Sequence, residues 1–251
     1  MRSGLLTLSL LPFLCQTAAA TVYSIIAGAD AFMRSAAPDS NYGRGGLLSV
    51  SGATATNSLN TANGSYDVFL RFATAATRTQ IDAEFGAGLW RITAVSLNLT
   101  EVTNPGNAIF NKGAGQFQVQ WISGDGWEEG TGNPNIPGFT GITWNTRAAF
   151  LDAGTDRSLG TFENPVLGGT LTSTLAPDGA FLADLMNDVQ TSLSLTAATA
   201  TTGFNFRSRD FAGDASVLPQ LQLTVEAIPE PSVPGLCALL LSGLVRHRRS
   251  R

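Results

Sequence analysis

The residues that could do chemistry in this chain are carboxylates and aromatic rings. Its one histidine, His247, and its two cysteines, Cys15 and Cys237, lie near the ends of the 251-residue sequence. The long middle therefore offers no Ser-His-Asp or Cys-His nucleophile system, and no zinc site with histidine or cysteine ligands. A pair of acids about 5 to 10 Å apart, as in glycosidases, remains open. The sequence favours a protein that is not an enzyme, with a carboxylate-only glycosidase or lyase as the less favoured alternative.

Aromatic rings could bind sugars, because a ring stacks on the C–H groups of a pyranose face. Trp127 lies in the glycine-rich stretch 124–130, which predicts an exposed loop, with burial as the open alternative. Trp144 either offers a second ring or packs beneath that loop, and packing is favoured. Tyr42, in a turn, completes the candidate glycan-binding residues. Trp121 lies in an alternating strand and is predicted to belong to the core.

Acidic side chains raise the alternative of a structural Ca²⁺, which is held by carboxylates and carbonyl oxygens. Asp30, Asp210 and Asp214 lie in turns that could meet at one end of a β-sandwich. No Asp-x-Asp-x-Asp-Gly spacing occurs, so solvated loop acids are the favoured interpretation. The sequence predicts no cofactor other than this calcium ion.

The first 20 residues have the pattern of a secretory signal peptide. Arg2 gives a short positive start, residues 5–14 are apolar, and Ala18-Ala19-Ala20 follows as a cleavage site. This order predicts export with cleavage between Ala20 and Thr21.

The other end combines a proline break, an apolar run and a basic tail. Pro229-Glu230-Pro231 interrupts the chain, and residues 233–245 form an apolar run. That run is short for a permanent membrane span, which needs about 20 residues. The tail should stay cytoplasmic under the positive-inside rule. The basic residues that we assign to this signal are Arg246, Arg248 and Arg249.

This three-part end, residues 229–251, resembles the PEP-CTERM sorting signal of exported bacterial proteins. The resemblance implies a transient partner, a membrane protease of the exosortase type. It also implies brief anchoring in the inner membrane, followed by release to the cell surface or extracellular matrix.

Removing both ends leaves a single domain, residues 21–228, that is strongly acidic. The ends carry five of the 15 basic residues and one of the 19 acids, which leaves 10 against 18 and a net charge of −8. Nucleic acid is therefore excluded as a partner, because phosphate binding needs clustered cations. The domain has no cysteine, so its stability must come from a packed core.

Short alternating segments separated by turns predict an all-β domain. In Tyr66–Phe72, alternate residues from Tyr66 share one face, so we expect Leu70 and Phe72 in the core. Thr21–Ile26 and 31–34 are expected as two strands separated by a break at Gly28. Further strands are expected at 47–50, 92–102, 117–122, 192–195, 203–207 and 221–225. One helix is predicted at 180–189, with Pro177 and Asp178 at its start. The predicted fold is an antiparallel, jelly-roll-like β-sandwich.

An ordered set of short motifs along the body resembles the DNRLRE-type domain. The pieces are Asp30-Ala31-Phe32-Met33-Arg34, Asn41-Tyr42-Gly43, Asp67-Val68-Phe69-Leu70-Arg71-Phe72, Ala94-Val95-Ser96-Leu97-Asn98-Leu99, Trp127-Glu128-Glu129-Gly130-Thr131-Gly132, Ile142-Thr143-Trp144-Asn145, Phe204-Asn205-Phe206-Arg207-Ser208 and Pro219-Gln220-Leu221. The resemblance implies a jelly-roll sandwich related to carbohydrate-binding modules, some of which bind alginate-like polysaccharide. We expect a non-catalytic surface or matrix protein, structural or adhesive, with a polysaccharide-binding module as the alternative.

Overall fold

The computed structural model describes residues 19–56, 61–62, 64–102, 113–164 and 168–229. Its strands are β1 Thr21–Arg34, β2 Leu47–Ser51, β3 Tyr66–Ala73, β4 Trp90–Glu101, β5 Gly115–Ile122, β6 Arg157–Asn164, β7 Gly169–Thr174, β8 Gln190–Ala197, β9 Gly203–Arg207 and β10 Gln220–Ala227. The helices are α1 Ala75–Phe85 and α2 Gly179–Asn187, with short 3₁₀ helices at Arg147–Phe150 and Ala215–Val217. The predicted all-β class is confirmed.

The strands pair antiparallel in two layers that join at their edges. One layer contains β7, β4, β10 and the first half of β1. The other contains the second half of β1, followed by β3, β8, β5 and β6. β2 and β9 pair with each other, and β2 also contacts β3 while β9 contacts β4. The predicted sandwich therefore has a barrel-like closure, because β1 belongs to both layers.

β1 passes from one layer to the other through a β-bulge at Gly28, where the pairing register shifts. Before the bulge, Tyr23 and Ile25 face the core between the layers; after it, Phe32 does, and Met33 belongs to a second cluster. A bulge adds one residue, and one residue exchanges the two faces of a strand. The expectation of two separate strands was wrong, because the chain continues through Gly28 instead of breaking there.

The core between the layers contains the face of β3 that the alternation predicts. Tyr66, Val68, Leu70 and Phe72 are at most 1% exposed and belong to this core, which confirms the predicted register. The predicted core position of Trp121 is also confirmed.

The helix prediction is half right. α2 begins after Asp178, whose carboxylate accepts a hydrogen bond from the backbone N–H of Phe181 at 2.9 Å, as its sequence predicts. The expectation of one helix is wrong, because α1 follows β3. α1 buries Ile81 but no other residue, so it lacks the apolar periodicity by which such helices are found.

The predicted export signals fall mostly beyond these ranges. Residues 1–18 and 230–251, including the apolar run and the basic tail, lie outside the described residues. Neither described helix has the length and apolar character that a membrane crossing requires.

Candidate functional site

Residues 123–150, which we call the covering segment, lie across the outer side of the β3 layer. A second apolar cluster fills the space beneath them, separate from the core between the layers. Its buried members are Ala29, Ala31, Met33, Phe69, Ile122, Trp127 and Ile142. One apolar cluster therefore lies between the two strand layers, and a second, which we call the outer cluster, lies between the β3 layer and the covering segment. Most candidate residues surround the outer cluster.

Trp127 anchors the covering segment instead of projecting from it. Its side chain is 1% exposed, and its ring meets Phe69 edge-on at 5.9 Å between centroids. The indole N–H donates to the Ser192 hydroxyl at 3.0 Å, and the Arg71 guanidinium lies 4.8 Å from the ring centroid. The expected exposed position of Trp127 is wrong, because its ring packs against Phe69 and Arg71 of β3 and is not accessible to a sugar.

The other two candidate rings are also engaged within the protein. Tyr42 is buried and stacks on Phe32 with 4.7 Å between centroids and 6° between planes. Trp144 is partly buried against the outer cluster, and the Arg147 guanidinium lies 3.4 Å from its ring centroid. The favoured packing of Trp144 is therefore confirmed, and of the three rings only this one keeps partial exposure.

Asn41 fastens the covering segment to the sandwich. Its fully buried side chain donates to the carbonyls of Glu129 at 2.7 Å and Ile142 at 2.8 Å. The same side chain accepts from the N–H groups of Gly43 and Gly132. Both amide protons and the amide oxygen are therefore used, as a buried amide requires. A Cβ at Gly132 would collide with the Asn41 backbone, so this approach needs glycine.

A partly buried charge cluster lies beside this amide. Both carboxylate oxygens of Glu129 accept from the Arg209 guanidinium at 2.6 Å, and one also accepts from the Asp30 backbone N–H at 2.8 Å. Asp30 is fully buried, and its Oδ2 accepts from the Arg209 backbone N–H at 2.6 Å. Burial raises the pKa of Asp30 to about 8, with repulsion from Glu129 and Asp210 adding to the rise. Asp30 therefore binds its proton more tightly in the folded protein than in the unfolded chain.

Two arginines complete the attachment of the covering segment. Arg147 pairs with Asp67 on β3 at 2.9 Å and donates to the carbonyl of Trp144. Burial raises the pKa of Asp67, and the Arg147 charge opposes that rise. Arg71 donates to the carbonyls of Asp125 at 2.9 Å and Trp127 at 2.6 Å. Arg71 on the sheet and Arg147 within the covering segment thus satisfy carbonyls that a buried loop would otherwise leave unpaired.

A groove of about 290 Å³ lies on the surface of the covering segment. Its lining residues are Gly126, Glu128, Gly141, Ile142, Thr146 and Phe150. Glu128 and Thr146 are exposed and supply polar groups, and the partly buried Phe150 supplies an aromatic surface. This combination of an apolar wall with a few polar groups suits a small ligand or one sugar unit of a polymer.

The residues expected to hold calcium divide into two places. Asp30 and Asp210 are close enough for their charges to interact, but Arg209 is part of the same cluster. Asp214 instead caps the 3₁₀ helix Ala215–Val217, accepting from the backbone N–H of Ser216 at 2.9 Å, which lowers its pKa. Within the described ranges, no group of three or more His, Cys, Asp or Glu side chains is arranged for a metal ion. Calcium binding stays a prediction.

A second acid pair lies at the end of α2. Asp184 is buried, accepts from the indole N–H of Trp121 at 2.8 Å and from the Thr191 hydroxyl, and hydrogen bonds Asp188. Burial and the Asp188 contact raise the pKa of Asp184 to about 7. This carboxyl contacts groups that belong to the folded interior, and the groove-lining residues do not include it.

The site residues that the sequence reasoning missed are Asn41, Glu129, Arg209, Arg71 and Arg147. Their partners lie far away along the chain: 179 residues separate the atoms of the Arg209–Asp30 hydrogen bond. A weak signal existed, because Asn41, Glu129 and Arg71 stand in the short motifs of the sequence and Arg209 directly follows one of them. No protein-family model matches this chain, and no curated protein matches it significantly.

Proposed function

We propose that this chain is an exported, non-catalytic protein of the cell surface or extracellular matrix, with a structural or adhesive role. The observation that carries the proposal is that acids of the described domain bind other groups of the protein. Glu129 pairs with Arg209, Asp67 pairs with Arg147, and Asp184 binds Trp121. A glycosidase needs two carboxylates across a cleft. Of the acids, Glu128 lines the groove, and a single carboxylate does not make such a pair.

The ends of the folded domain support the export part of the proposal. β1 starts at Thr21, directly after the predicted cleavage site, and Thr21 pairs with Val225 near the end of β10. Pro229 follows two residues after β10 ends. Removal of a signal peptide and of a C-terminal sorting signal would therefore leave all the described strands intact.

The catalytic part is tested by incubating the purified full chain with a panel of neutral and acidic polysaccharides and measuring new reducing ends and unsaturated products. We expect no turnover. Turnover that persists in Glu128→Gln and disappears in Asp184→Asn would contradict the proposal and assign chemistry to the α2 acid pair.

The export part is tested by mass spectrometry of the protein recovered from the cell surface. We expect a chain that starts at Thr21 and ends near Pro229 to Pro231, without the basic tail. Surface protein that retains Arg246 to Arg251 would contradict sorting by an exosortase-type protease.

A polysaccharide-binding module is the second candidate function, and the groove is the observation that favours it. Phe150 offers a ring surface for the C–H groups of a sugar, while Glu128 and Thr146 could hydrogen bond its hydroxyls. Loss of an aromatic contact of this kind weakens binding by about 1 kcal/mol or more. A glycan array therefore should show hits that Phe150→Ala weakens and that Phe139→Ala, an exposed phenylalanine of the same segment, leaves unchanged. An array without hits contradicts this candidate.

A further inference from the structure

The outer side of the β10 layer carries a regular array of uncharged polar side chains, which we call the open face. Four neighbouring strands contribute to it, the first half of β1, then β10, β4 and β7. Its outward residues are Val22, Ser24, Ile26, Ala94, Ser96, Asn98, Thr170, Thr172, Thr174, Gln220, Gln222 and Thr224. Nine of these twelve carry a hydroxyl or amide, and none is charged.

The strand register places these side chains in straight rows. Ser24, Gln222, Ser96 and Thr174 lie opposite one another across the four strands. The next row is Ile26, Gln220, Asn98 and Thr172. With strands about 4.8 Å apart and alternate residues about 6.7 Å apart, the array covers roughly 14 by 13 Å. Its donors and acceptors therefore repeat on a nearly regular grid.

Part of the grid is free to bind something outside the protein, although the Gln220 amide donates to the Ala215 carbonyl at 3.0 Å and the Asn98 amide oxygen is buried. The hydroxyls of Ser96, Thr172 and Thr174 form no hydrogen bond with any described residue. All three β7 threonines are exposed, and Gln222 makes one long contact, 3.3 Å from its Nε2 to the Ser24 Oγ. Arg91 on β4 and Glu226 on β10, which lie beyond the Ala94 end of the array, form an ion pair with each other.

We propose that the open face binds a neutral polysaccharide chain. A polymer of sugar hydroxyls supplies both donors and acceptors without charge, which is what the amides and hydroxyls of the grid can pair with. Val22, 58% exposed, and Ile26, 41% exposed, add apolar contacts at one edge for C–H groups of the sugar rings. This inference deepens the second candidate function and assigns it a surface separate from the groove.

Charge and polarity exclude the competing occupants of the open face. The domain carries a net charge of −8, so an anionic polymer would be repelled, and no cation of the array could offset that repulsion. A second copy of this chain would meet an identical polar surface. Stable protein interfaces have an apolar core, which Val22 and Ile26 at the β1 edge and Ala94 on β4 do not provide.

The test is affinity gel electrophoresis of the full chain in gels that contain a soluble neutral glucan, with alginate as the anionic counterpart. We expect retardation by neutral glucan and none by alginate. Gln222→Glu, which replaces the amide with a carboxylate of the same shape, and Gln222→Lys should each weaken neutral-glucan binding about tenfold, because either charge loses its hydration against the polymer. Gln118→Glu, the same change on β5, serves as the matched control and should bind as the parent chain does. Unchanged melting temperatures show that the variants fold.

Several results would overturn the proposal. One is the absence of retardation by every neutral glucan; another is an equal loss in Gln118→Glu. Alginate binding that Gln222→Lys strengthens would assign the face to an anionic polymer. Retardation that Phe150→Ala abolishes and the Gln222 variants leave unchanged would place glycan binding in the groove, so the second candidate function would stand without the open face. A concentration-dependent dimer in sedimentation velocity, lost in Gln222→Glu, would show self-association.

Discussion

The outer side of the β3 layer lies beneath the covering segment, whereas the open face of the β10 layer presents hydroxyl and amide groups to solvent. β1 crosses both regions. Its burial alternates over Thr21–Gly28 and then becomes continuous from Ala29 to Met33, where the covering segment shields the second side of the strand. β1 is therefore buried on one side before the bulge at Gly28 and on both sides after it.

The difference between these two regions separates stability from recognition. Beneath the covering segment, arginines, buried acids and Asn41 hold a long loop in place, so changes there should unfold or loosen the domain. On the open face, side chains meet few protein partners, so changes there should alter binding and leave folding unaffected.

The largest effect is expected for Trp127→Ala. The substitution removes a fully buried indole from the outer cluster and leaves the Ser192 hydroxyl and Arg71 without their contacts. Large-to-small changes of this kind cost about 3 to 5 kcal/mol of unfolding free energy. Phe72→Ala, in the core between the layers, should cost a similar amount. Urea denaturation measures both, and a loss below about 1 kcal/mol for Trp127→Ala would mean that the covering segment is not packed as described.

Asn41→Ala should destabilise the domain by about 2 to 4 kcal/mol, because the carbonyls of Glu129 and Ile142 and two backbone N–H groups lose their partner while buried. Asn145→Ala is the matched control: this asparagine of the covering segment is exposed and makes one side-chain hydrogen bond, to Asp39. It should change the unfolding free energy by less than about 1 kcal/mol. Equal losses in the two variants would contradict the anchoring role of Asn41.

The buried acids make stability depend on pH. Burial raises the pKa of Asp30 to about 8 and that of Asp184 to about 7, from an ordinary value of 3.8. The folded protein therefore keeps protons that the unfolded chain has released above about pH 4. The unfolding free energy should fall as pH rises towards 8, by up to about 1.4 kcal/mol per pH unit for each group.

Denaturation curves between pH 5 and about 8 measure that slope, and Asp30→Asn should make it shallower. Equal slopes in the parent chain and in Asp30→Asn would show that Asp30 is ionised in the folded state. The open face adds nothing to this dependence, because its twelve residues include no titratable group.

The smallest effect on folding is expected on the open face. Gln222→Glu should shift the unfolding free energy by less than about 0.5 kcal/mol, because the side chain is partly exposed and its row contains no acid. Thermal unfolding of this variant beside the parent chain measures the shift. A loss of 2 kcal/mol or more would mean that the open face is packed against another part of the chain.

Local patterns were sufficient for elements whose burial follows from their own residues. The alternation in β3 predicted Phe72 in the core, and Asp178 before an apolar 3.6-residue period predicted α2. α1 was not predicted, because Ile81 is its one buried residue and the helix therefore has no apolar periodicity. The sequence also did not predict that the inward-facing side of β1 changes at Gly28, because a bulge depends on the strands that pair with β1 and not on the alternation within β1.

The site was less predictable than the fold because distant residues build it. The residues next to Trp127 in the sequence indicate an exposed loop. Its burial depends on Phe69 and Arg71 of the distant strand β3, which pack against its ring. Asn41 stood in a turn motif, but nothing near it in the sequence reveals that Glu129 and Ile142 offer their carbonyls to it. The open face was missed for a related reason: its rows join residues from four strands that lie apart in the sequence.

The most direct test of the division between the two outer regions compares two substitutions in the same strand, Met33→Ala and Ser24→Ala. Met33 is fully buried beneath the covering segment, and Ser24 lies on the open face. We predict a loss of about 2 to 5 kcal/mol in unfolding free energy for Met33→Ala, as for other buried methionines, and less than about 0.5 kcal/mol for Ser24→Ala. Equal losses, or a larger loss for Ser24→Ala, would contradict the assignment of one outer side to folding and the other to binding.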